Sequence, residues 1–253
     1  MFTISTFYKF QELPHYQSLK QLLLDFCIQQ DLKGSILLAN EGINATIAGT
    51  REAIDAFYHE LTTNHGITLH NAKESFLNYK PFGKMKVRLK KEIVKLGLPH
   101  VNGQDAGTYI KPAEWDDFIS RDDVVVIDTR NNYEIALGTF KDAIDPQTRF
   151  FNEFPSWFEA NKEQFQSKKI AMCCTGGIRC EKSTAYLKSL GLTDVFHLEG
   201  GILNYLEKMG HNGQTWQGDC YVFDERVAVD ADLDQSTTID PHFKKTEALL
   251  KQS

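Results

Sequence analysis

Six consecutive residues, Cys174-Thr175-Gly176-Gly177-Ile178-Arg179, put a thiol, two glycines and a guanidinium into one short loop. An apolar run, Lys169-Ile170-Ala171-Met172-Cys173, leads in, and residues 181–190 continue with helical spacing. Adjacent glycines let backbone N–H groups converge on one point. The helix that follows adds the positive end of its dipole, and Arg179 adds a full charge. Such surroundings lower a thiol pKa from about 8.5 to roughly 3.5–7.5 and make the thiolate nucleophilic. Cys174 is therefore the candidate catalytic residue, and residues 175–179 form its anion- and substrate-binding loop.

Loop length separates two chemistries. Counted from Cys173 the pattern is C-x5-R, the spacing of a cysteine-dependent phosphatase. Counted from Cys174 it is C-x4-R, suited to a more compact sulfur-bearing group. Met172 stands where the phosphatase pattern carries histidine, and strand alternation turns Cys173 into the core. The shorter count is favoured. Cys180, one residue past Arg179, is either a resolving thiol or a packed helix residue, and packing is the favoured reading.

Elements are needed to hold this loop. Val124-Val125-Val126-Ile127 reads as a buried parallel strand ending in Asp128-Thr129-Arg130, with Glu134 four residues beyond. Val195-Phe196-His197-Leu198 is followed by Glu199-Gly200-Gly201, and Pro112-Ala113-Glu114-Trp115 opens a helix. These features resemble the rhodanese domain: its persulfide-forming loop, its D-x-R-x-x-x-E pattern, its last strand and double-glycine turn, and its entry helix. The turn at residues 138–144 departs from the family's G-H-I-P-G-A-like pattern. Asp128, Arg130 and Glu134 are expected to brace the loop from neighbouring strand ends.

The first half has a different rhythm. A strand over residues 3–10 precedes a helix opened by Pro14, with Leu19, Leu22, Leu23 and Phe26 at i, i+3, i+4 and i+7. Residues 34–39 and 43–48 read as strands joined by Asn40-Glu41-Gly42. Thr50 caps a second helix carrying Ile54, Phe57, Tyr58 and Leu61, and strands follow at 74–79 and 85–93. The order βαββαβ reads as a ferredoxin-like sandwich, α+β, ahead of an α/β doubly wound parallel sheet. The expected organisation is residues 1–95, a linker at 96–111 crossing the surface, a rhodanese domain at 112–217 and an extension at 218–253. Residues 232–253 are polar, with a short helix expected at 243–250.

The segment 34–49, GSILLANEGINATIAG, and the stretch 218–230, GDCYVFDERVAVD, resemble signatures of the bacterial tRNA uridine hydroxylase family, whose N-terminal domain is acylphosphatase-like. No catalytic arginine loop of an acylphosphatase occurs early in the chain, so that activity is not inferred. Asn40, Glu41 and Asn44 are either plain turn chemistry or RNA contacts. The resemblance implies an oxygen-dependent conversion of the wobble uridine (position 34) of tRNA to 5-hydroxyuridine, with molecular oxygen as co-substrate and the anticodon loop as partner. Cys174 either adds to C6 of uracil or carries a persulfide or oxidised sulfur. The alternative is a persulfide-carrying sulfurtransferase acting on a small thiol or a sulfur relay partner.

Composition sets further bounds. The chain has 253 residues, 42% hydrophobic and 25% charged, with net charge −6. That balance argues against indiscriminate nucleic-acid binding, yet residues 80–95 hold seven basic side chains and one acid, with Phe76, Tyr79 and Phe82 nearby. Lys84, Lys86, Arg88 and Lys90 share one face by alternation, Lys91 taking the other, and are the tRNA-binding candidates. Edge protection of a strand is the competing reading. Cysteine and histidine spacing favours no metal site, and no cofactor fingerprint is evident. No apolar run long enough for a membrane span and no secretory start occur, so the expected compartment is the cytoplasm.

Overall fold

The computed structural model describes residues 1–69, 72–223 and 226–237. The helix expected at 243–250 lies outside them. The chain divides into two compact units, Met1–Gln104 and a second that begins at Asp105.

In the first unit β1 (Phe2–Phe10), α1 (Tyr16–Gln29), β2 (Lys33–Ala39), β3 (Gly42–Gly49), α2 (Arg51–His65) and β4 (Lys73–Leu77) run in the βαββαβ order. A fifth strand, β5 (Met85–Leu89), follows, giving the sheet order β4-β1-β3-β2-β5. All pairings are antiparallel except β2 with β5. Alternation along the strands sends Phe7, Ile36, Leu38, Ala45, Ile47 and Val87 into one core with Leu23, Cys27, Ile54, Phe57 and Leu61 of the helices. Thr50 caps α2 by accepting from the Ala53 N–H at 3.2 Å. In α1 the buried stripe runs through Leu23 and Cys27, whereas Leu22 is 55% exposed, because the sheet covers a narrower arc than the apolar spacing offers.

The segment read as a surface linker is anchored instead. Leu96 and Val101 are buried, and a Cβ on Gly103 would stand 2.5 Å from the Phe10 ring. Its end forms β6 (Thr108–Ile110), an edge strand of the second sheet. Glu41 and Asn44 also have structural work there. The Glu41 carboxylate accepts from Ile93 N–H at 2.6 Å, and the Asn44 amide donates to the Ile93 carbonyl at 3.1 Å. These bonds tie the chain leaving β5 to the turn between β2 and β3.

The second unit contains α3 (Pro112–Ile119), β7 (Val124–Asp128), α4 (Asn132–Ile135), β8 (Gly138–Phe140), α5 (Phe154–Asn161), β9 (Lys169–Cys173), α6 (Ile178–Ser189), β10 (Val195–Leu198) and α7 (Gly201–Met209). Strands β6-β10-β9-β7 pair in parallel in that order. Trp115, Phe118, Ile202, Tyr205 and Leu206 of α3 and α7 pack on one face with Val126, Ala171, Cys173 and Leu198. The other face meets α6, where Ser183 donates to the Met172 sulfur at 3.1 Å. Short strands β11 (Trp216–Gly218), β12 (Cys220–Tyr221) and β13 (Ala228–Val229) follow, β11 pairing with β8 and β12 with β13. No described helix is long and apolar enough to cross a membrane.

Candidate active site

The carboxyl ends of β7, β9 and β10 share one edge of the parallel sheet, where ligands of such folds bind. At that edge β9 ends and the 174–177 loop begins. The loop is held from α7: Ile202 N–H donates to the Cys174 carbonyl at 2.9 Å and Leu203 N–H to the Thr175 carbonyl at 3.0 Å. This approach requires glycine at 201, since a Cβ there would lie 2.5 Å from the Cys174 carbonyl oxygen and 2.7 Å from Gly177 N. Gly201 also has φ +70°. The double-glycine turn is thus part of the site, a role its spacing alone did not specify.

Gly177, at φ +97°, caps α6 and turns its N–H onto the Cys174 sulfur at 3.1 Å. Cys180, in the first turn of α6, reaches the same sulfur with both its thiol and its backbone N–H. Cys174 is fully buried, and burial by itself raises a thiol pKa. The Cys180 thiol, the Arg179 charge and the N–H groups of Cys180 and Gly177 outweigh that cost and bring Cys174 down to about 6. Burial and the neighbouring Cys174 sulfur push Cys180 well above the usual thiol range. Packing alone therefore does not describe Cys180. Cys173, by contrast, lies in the core below, pushed well up by burial.

The hydrogen bonds of the Arg179 guanidinium go to the loop's support. The guanidinium forms a fork with Glu134 at 2.6 and 2.7 Å and reaches Thr175 Oγ1 at 3.2 Å. Thr175 in turn donates to Glu134 at 3.2 Å. Glu134 is fully buried and also accepts the Asn131 N–H, closing a capping box on α4. Glu134 thus braces the loop. Asp128 and Arg130 do something else: they pair with each other at 2.7 Å, both fully buried. Arg130 donates to the Gly138 carbonyl at 2.5 Å, and Asp128 accepts from Thr139 at 2.7 Å. Their bonds secure β8 and α4 rather than the catalytic loop.

Between them sits Thr129, which sequence reasoning passed over. Its hydroxyl donates to the Cys173 carbonyl at 3.0 Å and stands 3.5 Å from the Cys180 sulfur. Its place inside the D-x-R pattern, at a strand end beside the loop strand, was the available signal. Gly176 and Ile178 form the partly exposed rim of the loop, and a Cβ on Gly176 would meet open space.

Lys84, Lys86, Arg88 and Lys90 lie in the first unit, on and beside β5. Lys86 is half-buried, the other three are exposed, and among the described residues none has an ion-pair partner. Lys80, from the same basic run, is engaged with Asp31 at 2.9 Å. Phe76 and Tyr79 are about half exposed nearby in the sequence.

Fold and site together define a rhodanese-type protein with an appended ferredoxin-like domain. Residues 2–93 match the UPF0176 acylphosphatase-like domain family and residues 111–208 the rhodanese-like domain family. A tRNA uridine(34) hydroxylase of Wolbachia pipientis wMel is 53% identical over 94% of this chain and 86% of its own length. One from Brucella anthropi is 50% identical over 93% of this chain and 77% of its own. Among solved structures, a rhodanese-related protein from Thermoplasma volcanium is 23% identical over 44% of this chain and 97% of its own, with a TM-score of 0.34. The chain belongs to the tRNA uridine(34) hydroxylase family.

Proposed function

We propose that the protein inserts one atom of molecular oxygen into the C5–H bond of the tRNA wobble uridine with the help of the Cys174 sulfur, the other atom leaving as water with two electrons and two protons from a dithiol-type reductant. The observation that carries this is the sulfur's cradle: two backbone N–H groups, a thiol donor and a nearby guanidinium hold a thiolate near pH 6 in a family that acts on this base. Negative charge developing on the sulfur, or on an atom it carries, meets the same preorganised donors. Full burial of Cys174 favours a sulfur that carries an oxygen or sulfur atom outward over a ring that descends to the thiol. A wobble uridine is unpaired and splays into a pocket at low cost. The cations on and beside β5, three of them exposed, supply phosphate contacts for the same tRNA, and the cytoplasm is where that substrate resides.

The test is nucleoside mass spectrometry of tRNA incubated aerobically with the protein. The expected result is one added oxygen at position 34, absent without oxygen and absent with Cys174→Ser. Sulfur transfer to a small thiol with no change in the tRNA would instead establish a sulfurtransferase and remove this reading.

A further inference from the structure

Beyond the rhodanese unit proper, the chain returns through β12 and places a ladder of rings beside the catalytic loop. Phe223, 66% exposed, meets Tyr221 edge-on with centroids 5.1 Å apart at 81°. Tyr221, buried, meets Tyr133 edge-on at 5.4 Å and 82°. Tyr133 lies on α4, where the next residue, Glu134, grips Arg179 and Thr175 of the catalytic loop. A rigid path of side chains therefore runs from the thiol loop to one large exposed ring. On the other side of α4, Asn132 N–H donates to the Thr148 carbonyl at 2.8 Å, fixing the segment that carries Arg149 and Phe150. Phe150 is 41% exposed, and the Arg149 guanidinium stands 5.9 Å from its ring centre.

We propose that Phe223, backed by Tyr221 and Tyr133, is a stacking platform for an unpaired RNA base adjacent to the base presented to Cys174. The proposal rests on the tRNA reading above and extends it to a second contact. Single exposed apolar rings are ordinary on protein surfaces; what sets Phe223 apart is the line of ring contacts that ties it to the helix holding the catalytic loop. The geometry of Phe223 suits a nucleobase. Tyr221 holds the ring through an edge-to-face contact, and the large exposed part of Phe223 leaves π-surface for stacking. Stacking on aromatic side chains is how proteins hold splayed single-stranded RNA, and it tolerates any base. A folded protein partner would need a wider apolar patch than one ring.

The experiment measures binding of a fluorescent anticodon stem-loop RNA and of a fully paired RNA duplex of equal length. Phe223→Ala should weaken stem-loop binding about tenfold, with Phe223→Trp restoring it, and leave duplex binding unchanged. Circular dichroism checks that both variants keep the fold. Equal weakening for stem-loop and duplex, or no weakening for either, overturns the platform. The two readings fail separately. A platform without hydroxylation still gives the stem-loop-selective loss, and hydroxylation without a platform leaves Phe223→Ala with wild-type stem-loop affinity.

Discussion

Replacing Cys180 by alanine removes one hydrogen-bond donor from the Cys174 sulfur and leaves Arg179 and the Gly177 N–H in place. A hydrogen bond to a charged group contributes about 1.5–3 kcal/mol, and one pH unit corresponds to about 1.36 kcal/mol. A thiol is a weak donor, so the lower end applies and the Cys174 midpoint should rise by about one unit. Starting from about 6, it moves to roughly 7. At pH 6 the thiolate fraction then falls from about one half to about one tenth, slowing iodoacetamide alkylation roughly fivefold. At pH 9 the rates converge. Burial of the sulfur is common to the wild type and the variants, so it scales the whole curve through reagent access and leaves the difference between their midpoints to the lost donor. The background is quiet, since burial pushes Cys27 and Cys220 up to about 12 and Cys173 well above its usual range. Cys180→Ser, which keeps a donor, should restore most of the shift. An alanine variant with the wild-type midpoint, or a serine variant displaced as far as alanine, refutes the donor role.

Gly201→Ala should cost about 2 kcal/mol or more in urea unfolding, because its φ of +70° is left-handed and its Cβ strikes the loop carbonyls. Cys174 should lose its low alkylation midpoint in the same variant; retention of both properties would show that the loop does not need this approach. His197 is 1% exposed, packs against the tilted Tyr109 ring with centroids 4.2 Å apart and has no well-aligned hydrogen bond at either ring nitrogen, only a weak contact with the Gly107 backbone. Burial holds it down to about 4, whereas the unfolded chain takes up the proton near 6.5. The unfolded state therefore binds more protons as pH falls from 6.5 to 4, and stability drops across that window by about 3 kcal/mol more than in His197→Leu, as read by denaturant midpoints. Neutralising Lys86, Arg88 and Lys90 together should weaken tRNA binding and flatten its salt dependence by about one log unit per lost phosphate contact. Affinity unchanged at several salt concentrations would make these cations edge protection.

Much of this molecule is legible along the chain. The βαββαβ order, the parallel strands and the placing of Cys173 in the core with Cys174 opening the loop follow from periodicity and from one loop's spacing, because those signals concern neighbours within a turn or a strand. The same locality explains where the reading differs from the structure. Apolar spacing offered Leu22 a place in the core, but only the width of the sheet decides how far round α1 burial extends. Leu96 and Val101 looked like scattered apolar residues in a polar linker, and their burial depends on surfaces distant in sequence. The loop's support shows the limit most clearly. Arg179 is joined to Glu134 across 45 positions, and Thr129 reaches Cys180 across 51. Residue types named the candidate thiol. The tertiary structure alone decided its protonation, since a thiolate responds to every donor and charge within a few ångströms, however far along the chain each one lies.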